Sequence, residues 1–320
     1  MEVCIVGAGV IGTIYGAVLS ECGHTVSHLV RPAGRERLAV GVEMNLLDAR
    51  LAECRERDVG YRPPVIDDLH GRSFDLVLAS VRHTQVDDPL PVLAAGDSDV
   101  VLFGNWWSEF GPVDEYLAGR YSWAFPVAGG GFDGNRLDAA LLGRVIVSGD
   151  PRHAAGIGDR SAELFASCGL EAERPSDMLA WLWVHFATEA GVVAAAMKAG
   201  DVCKFLDDTD ALSEAVLAVR EALSIVAARG VDPWQLPDAQ MFAAPERAVA
   251  QTIHEQYQVD RAARRIMERH TGGSELAAIY RDVTGTGHRL GVATPVLDAL
   301  RPYVDAYAAA AHEANSTRPR

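Results

Sequence analysis

Glu2-Val3-Cys4-Ile5-Val6-Gly7-Ala8-Gly9-Val10-Ile11-Gly12-Thr13-Ile14-Tyr15-Gly16-Ala17-Val18-Leu19-Ser20 is the stretch that decides the fold. A short, β-rich apolar run leads into glycines spaced G-x-G-x-x-G, and the segment from Ile11 to Ser20 then has helical spacing and small side chains. The pattern predicts strand, tight turn and helix. The glycines differ in what they do, since Gly7 makes the turn, Gly9 lets backbone approach a pyrophosphate, and Gly12 permits close helix packing. The helix that opens at Val10 and Ile11 presents unpaired amides and the positive end of its dipole to an anion.

Working outward, Thr25 to Val30 alternates as a strand and stops at Arg31-Pro32, because proline cannot continue a ladder. The glycine turn therefore sits inside a βαβ unit, the context in which it signals a dinucleotide site. An NAD site usually carries Asp or Glu at the end of this second strand, to accept from the ribose hydroxyls. Arg31 stands there instead, and a guanidinium pairs with a 2′-phosphate, so the expected cofactor is NADP(H). Arg82, after the apolar run Leu76 to Val81, is a second candidate phosphate contact. The alternative for either arginine is a solvated surface position.

Leu76–Val81 and Val100–Phe103 read as buried parallel strands, since both faces are covered and alternation is lost. Ser122–Val127 and Arg144–Ser148 add strands on either side of an expected Gly129-Gly130-Gly131 loop. Beyond that the pattern turns helical, at about 176–199, 208–229, 238–268, 274–290 and 293–312, punctuated by Gly230, Pro233, Pro237, Gly272-Gly273 and Pro295. The expected architecture is an α/β Rossmann domain with a parallel sheet over 1–172, an all-helical domain over 173–314, and a flexible tail at 315–320.

A chain of 320 residues with 49% hydrophobic and 23% charged residues fits an ordinary globular protein. Its net charge of −15 argues against nucleic acid as a partner. The cysteines, Cys4, Cys22, Cys54, Cys168 and Cys203, form no C-x-x-C pair, so neither a disulfide framework nor a metal site is expected. Met178 to Met197 approaches membrane-spanning length, but His185 and Glu189 in its middle favour a buried helix. With no export or membrane signal the expected compartment is the cytoplasm, and the apolar second-half helices suggest a homodimer acting on a small molecule.

The residues GAGVIGTIYGAVLSECGHTV with Arg31 after them, DLVLASVRHTQV at 75–86, the asparagine of VLFGNWW at 100–107, the three glycines at 129–131, WLWVHFATEAG and GVATPVLDAL together resemble the ketopantoate reductase (2-dehydropantoate 2-reductase) family over nearly the whole chain. The resemblance implies a Rossmann domain, a helical domain related to that of phosphogluconate dehydrogenase, and NADPH-dependent reduction of a 2-oxo acid. It further implies that Asn105 lies by the nicotinamide and the substrate, and that Glu275 helps to hold the substrate.

The family's general-acid lysine is replaced here by His185, and the asparagine four residues on by Glu189. A serine and an aspartate of the family's substrate set align with Ala263 and Met267, and Trp106 and Trp107 follow Asn105 where a small residue is common. His185 and Glu189 share a helix face, where a carboxylate favours an imidazolium able to donate a proton. The plain alternative is a core histidine beside a structural glutamate, and the tryptophans are equally readable as ligand surface or core. A reductase of a carbonyl or imine other than ketopantoate is expected first. A non-redox isomerase or cyclase using His185 and Glu189, or a non-catalytic NADP(H)-binding regulator, are the other readings.

Overall fold

The computed structural model describes residues 1–51, 53–150, 156–270 and 273–316. The chain divides into two compact units, Met1–Met178 with Arg261–Thr271, and Leu179–Asp260 with Gly272–Arg320.

The first unit is built on a sheet of ten strands among the described residues: β1 (Glu2–Val6), β2 (Thr25–Leu29), β3 (Val42–Asp48), β4 (Arg55–Tyr61), β5 (Val65–Ile66), β6 (Leu76–Ala79), β7 (Val100–Phe103), β8 (Tyr121–Asp133), β9 (Arg136–Val147) and β10 (Glu171–Glu173). Their spatial order is β4-β3-β9-β8-β7-β6-β1-β2-β5, with β10 beside β9. All pairings are parallel except β3 with β4 and β8 with β9. Helices α1 (Val10–Glu21), α2 (Pro32–Val40), α3 (Leu90–Ala94), α4 (Gly111–Leu117) and α5 (Ile157–Ala166) connect the strands. Every residue of β6 and β7 is buried, which is why those segments lack alternation.

The remaining helices are α6 (Met178–Ala199), α7 (Val202–Asp207), α8 (Thr209–Ala228), α9 (Pro237–Gln240), α10 (Glu246–Val259), α11 (Arg261–Arg269), α12 (Gly273–Leu290) and α13 (Pro295–Ser316). An α/β sheet, mostly parallel, is thus followed by a helical region, as the sequence predicts. Within the second unit, a Cβ at Gly191 would lie 2.6 Å from the Val219 amide nitrogen, so α6 and α8 approach at a distance only glycine allows. Glu221 on α8 accepts from the amides of Val296 and Leu297 at 3.0 and 2.9 Å, satisfying the first turn of α13. Helix α6 is the one described helix long and apolar enough to cross a membrane, and 72% of its apolar window is buried.

Several expectations are corrected. Gly129, Gly130 and Gly131 are not a loop but lie inside β8, where Gly131 pairs with Asp138. A Cβ on Gly129 would come within 2.8 Å of the Ile266 side chain, so this glycine makes room for a helix on the sheet, while one on Gly130 would come within 2.8 Å of Ala139 Cα on the neighbouring strand β9. That helix is α11, and the single run expected over 238–268 is broken before it. Pro245 caps α10, and Asp260 leaves helical geometry at φ −85° and ψ 87°.

Ala262 is buried with Leu47 and Ala140, and Ile266 packs beside them. Arg265 donates to Asn45 Oδ1 at 2.9 Å and to Glu56 Oε1 at 3.1 Å, while Arg269 reaches Asp138 at 2.7 Å. Helix α11 therefore belongs to the sheet, although the sequence reading placed it in the helical half. The strand expected to end at Val81 ends at Ala79. The expected tail overlaps α13, which continues to Ser316, and positions 317–320 lie outside the described residues.

Candidate functional site

Gly7 leaves β1 at φ +113°, a conformation L side chains rarely adopt, and a Cβ there would sit 2.5 Å from the Ser80 carbonyl oxygen at the end of β6. Its amide donates to Leu29 at 3.0 Å, which ties the turn to β2. Gly12, buried in α1, would bring a Cβ to 3.1 Å from the Gly7 oxygen and 3.2 Å from the Ile5 side chain. Gly9 is different. It caps α1 in extended geometry at φ −77° and ψ −173°, and no atom lies within 4 Å of the place its Cβ would occupy. Protein packing therefore does not require glycine there, and the open space lies over a helix N-terminus with no acidic residue in its first turn. Val10 and Ile11, the first residues of α1, pack their side chains against the core. This cradle fits a dinucleotide pyrophosphate.

A buried histidine holds the turn from below. His28 Nδ1 donates to the Gly7 carbonyl at 2.8 Å, and its Nε2 accepts from the Tyr61 hydroxyl at 2.8 Å, which defines a neutral ring. A Cβ at Gly16 would strike both partners. Burial lowers the His28 pKa from 6.5 to about 4, against the opposing effect of its bond to Gly7. The unfolded chain takes up a proton below 6.5 and the native one only near 4, so this contribution to stability is complete above pH 6.5 and is lost as pH falls toward 4. Its full size is about 3 kcal/mol. Denaturant midpoints should fall between pH 7 and pH 4.5, and His28→Gln should flatten that slope. An unaltered slope in the variant would remove His28 as its source.

Arg31 caps α2 at the end of β2, where its Nη1 lies 3.9 Å from Asp88 Oδ2. One turn along, Arg35 donates to Asp67. Arg37, which the sequence reading missed, donates to the Ala8 carbonyl inside the glycine turn at 3.3 Å and covers the Phe132 ring at 4.1 Å. Arg82 precedes the short 3-10 turn His83–Gln85 that follows β6.

Asn105 follows β7, and Gly104 between them donates to Ala124 at 3.1 Å. The glycine turn, Arg31, Arg82 and Asn105 thus all follow the C-terminal ends of four strands adjacent in the sheet, β2, β1, β6 and β7. Trp106 and Trp107 are only 5% and 7% exposed. Trp106 packs against Trp123 at 4.8 Å between ring centroids, and Trp123 stacks on Phe110. Trp106 is thereby core.

In the second unit, α6 carries Trp181, His185 and Glu189 at successive i, i+4 positions. The indole of Trp181 stacks on the His185 ring at 5.1 Å and 6° between planes, and His185 Nε2 lies 4.0 Å from Glu189 Oε2. The His185 side chain is 32% exposed and that of Glu189 18%, so the imidazole is neither locked in a core nor fully solvated. On the same helix, Trp183 receives the Arg229 guanidinium at 3.2 Å over its ring. Glu275 sits half-buried in the first turn of α12, while Ala263 and Met267 lie on α11.

The family model described as "Ketopantoate reductase PanE/ApbA" matches residues 3–118, the segment that carries the glycine turn, Arg31, Arg82 and Asn105. The sequence likeness to that family is confined to this N-terminal segment. No curated protein matches the sequence. Among solved structures, a ternary complex of D-mandelate dehydrogenase with NADH and anilino(oxo)acetate is 16% identical with a TM-score of 0.72, covering 98% of this chain and 100% of that one. The 2-dehydropantoate 2-reductase from Geobacter metallireducens GS-15 is 16% identical with a TM-score of 0.70, covering 95% and 99%. A dimeric ketopantoate reductase from Staphylococcus aureus is 13% identical with a TM-score of 0.65, covering 97% and 100%. At these identities the likenesses establish the fold alone, a mostly parallel α/β sheet followed by a helical region.

Proposed function

We propose that the chain is a nicotinamide-dependent reductase of a carbonyl or imine in a small metabolite, with NADPH as an electron donor and a substrate other than ketopantoate. The observation that carries this reading is the cradle at Gly7, Gly9 and Gly12, open above Gly9 and closed everywhere else by packing. Val10 and Ile11 begin the helix whose amides meet the pyrophosphate, and Arg31 and Arg82 stand where a 2′-phosphate needs cations. A bound reduced nicotinamide supplies a hydride to the electrophilic carbon of the substrate.

The chain's own residues do the rest. Asn105 orients the substrate beside the nicotinamide through its side-chain amide. His185 donates a proton to the oxygen or nitrogen that gains charge, and Glu189, 4.0 Å from its Nε2, steadies the charged ring that donates it. The Trp181 face restricts the plane in which the imidazole turns. Glu275 binds a polar group of the substrate.

Anilino(oxo)acetate, held by D-mandelate dehydrogenase, combines a 2-oxo acid core with an aromatic ring, so aryl 2-oxo acids belong beside aliphatic ones among the candidate substrates. A homodimer, the state of the Staphylococcus aureus protein, is the proposed assembly. The test follows NADPH oxidation with aliphatic and aryl 2-oxo acids, ketones and imines, using NADPH deuterated at C4. Deuterium is expected in the product. Conversion of a substrate without deuterium would replace this reading by the non-redox one that uses His185 and Glu189 for proton transfer, and inertness toward the whole panel would defeat it.

A further inference from the structure

Arg31, expected to select a 2′-phosphate, already faces a carboxylate, and so does Arg35 beside it on α2. Arg31 Nη1 lies 3.9 Å from Asp88 Oδ2, and Arg35, one turn further along α2, donates to Asp67 Oδ1. These acids come from separate parts of the chain. Asp67 follows β5, which runs parallel to β2 with Leu29 opposite Ile66, so Asp67 leaves the sheet at the same end as Arg31. Asp88 belongs to the turns after β6, which lies on the other side of β1 from β2. At these two contacts each guanidinium meets a carboxylate, so neither Arg31 nor Arg35 offers unopposed positive charge, and Arg82 is the further candidate cation. Asp68 and Asp87 adjoin the pair in sequence.

A site that strongly prefers NADPH needs unopposed positive charge, because a phosphate monoester carries close to two negative charges near neutral pH. A site for NADH needs the opposite, a carboxylate to accept from the ribose 2′-hydroxyl. Arg31 at the strand end cannot accept, but Asp88 beside it can.

We propose that Asp88 and Asp67 are cofactor-specificity residues: they compete with the 2′-phosphate for Arg31 and Arg35, and Asp88 offers the ribose hydroxyl an acceptor, so that the chain binds NADH and NADPH with similar affinity. The proposal rests on the dinucleotide reading of the glycine cradle. Both pairs are exposed, Arg31 and Asp88 by 76% and 67% of their side chains, and such pairs are worth a factor of about 1.4 to 5 in an equilibrium constant. Competition of that strength trims a preference for NADPH without abolishing binding.

The test is equilibrium titration of NADPH and NADH by ligand fluorescence, with 2′-AMP and 5′-AMP as competitors, on the wild type, Asp88→Asn, Asp67→Asn and the double variant. In the wild type the two dissociation constants are expected within about tenfold of each other. Asp88→Asn should tighten NADPH and 2′-AMP about two- to fivefold and weaken NADH, and the double variant should favour NADPH by a larger factor. The gain should shrink in high salt, where exposed charges are screened. A wild-type preference above a hundredfold, or a ratio unmoved in Asp88→Asn while both cofactors still bind, overturns this proposal and leaves the reductase reading standing. Failure of both dinucleotides to bind overturns the two together.

Discussion

Gly9→Ala is expected to fold like the wild type and lose dinucleotide binding, while Gly7→Ala is expected to lose stability. The two glycines stand two residues apart, yet their surroundings differ in kind. At Gly9 the backbone is extended and a Cβ meets nothing within 4 Å, so alanine costs the protein less than about 1 kcal/mol, the modest penalty of a poorer helix cap. The same methyl occupies the space through which a pyrophosphate reaches the amides of α1, and affinity for NADPH should fall by a factor of ten or more.

At Gly7 the φ of +113° and the Ser80 oxygen 2.5 Å from the Cβ position act together. Backbone strain and overpacking each cost on the order of 1–3 kcal/mol, a large part of the stability of an ordinary domain. Urea midpoints and NADPH titration separate the cases. Gly9→Ala binding NADPH with wild-type affinity would show that the open space over α1 is not where the pyrophosphate lies.

What could be read from the sequence follows from how local each signal is. Strands β1, β6 and β7 announce themselves because they are buried on both faces, and β2 because Pro32 ends it. The hairpin of β3 and β4 does not. Arg55 to Tyr61 reads RERDVGY, a polar edge strand whose register is set by pairing with β3. Buried Asp48 at the end of β3 is matched by Arg50, two residues on, and across the hairpin by Arg57. It accepts from Arg50 at 2.6 Å and Arg57 at 3.1 Å, and despite burial, which pushes its pKa up, their bonds and charge leave it below the usual carboxylate range. The glycines of β8 look like a loop until Ile266, far along the chain, is seen to occupy the space above Gly129, and Ala139 of β9 the space beside Gly130.

The candidate site divides the same way. The glycine turn and Arg31 are local and legible, whereas the contact between His28 and Tyr61 spans 33 residues, and those of Arg31 with Asp88 and Arg35 with Asp67 depend on sheet order. Trp181 beside His185 lies between these cases. Its i, i+4 spacing is visible in the sequence, but only the parallel rings show that it is a stacking partner.

His185→Phe is expected to reduce kcat by about 10²–10⁴-fold with whichever oxo acid or imine the wild type turns over, and to leave the dissociation constant of NADPH unchanged. Phenylalanine keeps a ring over Trp181 and removes only the proton. The sign of the pH dependence follows from the role. A general acid must be protonated before transfer, so kcat should decline as pH rises through the imidazole's titration. Glu189, 4.0 Å away, steadies the ring, and Glu189→Gln should lower kcat without abolishing turnover. His185→Lys introduces the residue that the resemblance to ketopantoate reductases implies at this position, and should recover part of the lost rate. A Phe variant within fivefold of the wild type would assign the proton to another group and return His185 to a structural role beside Trp181.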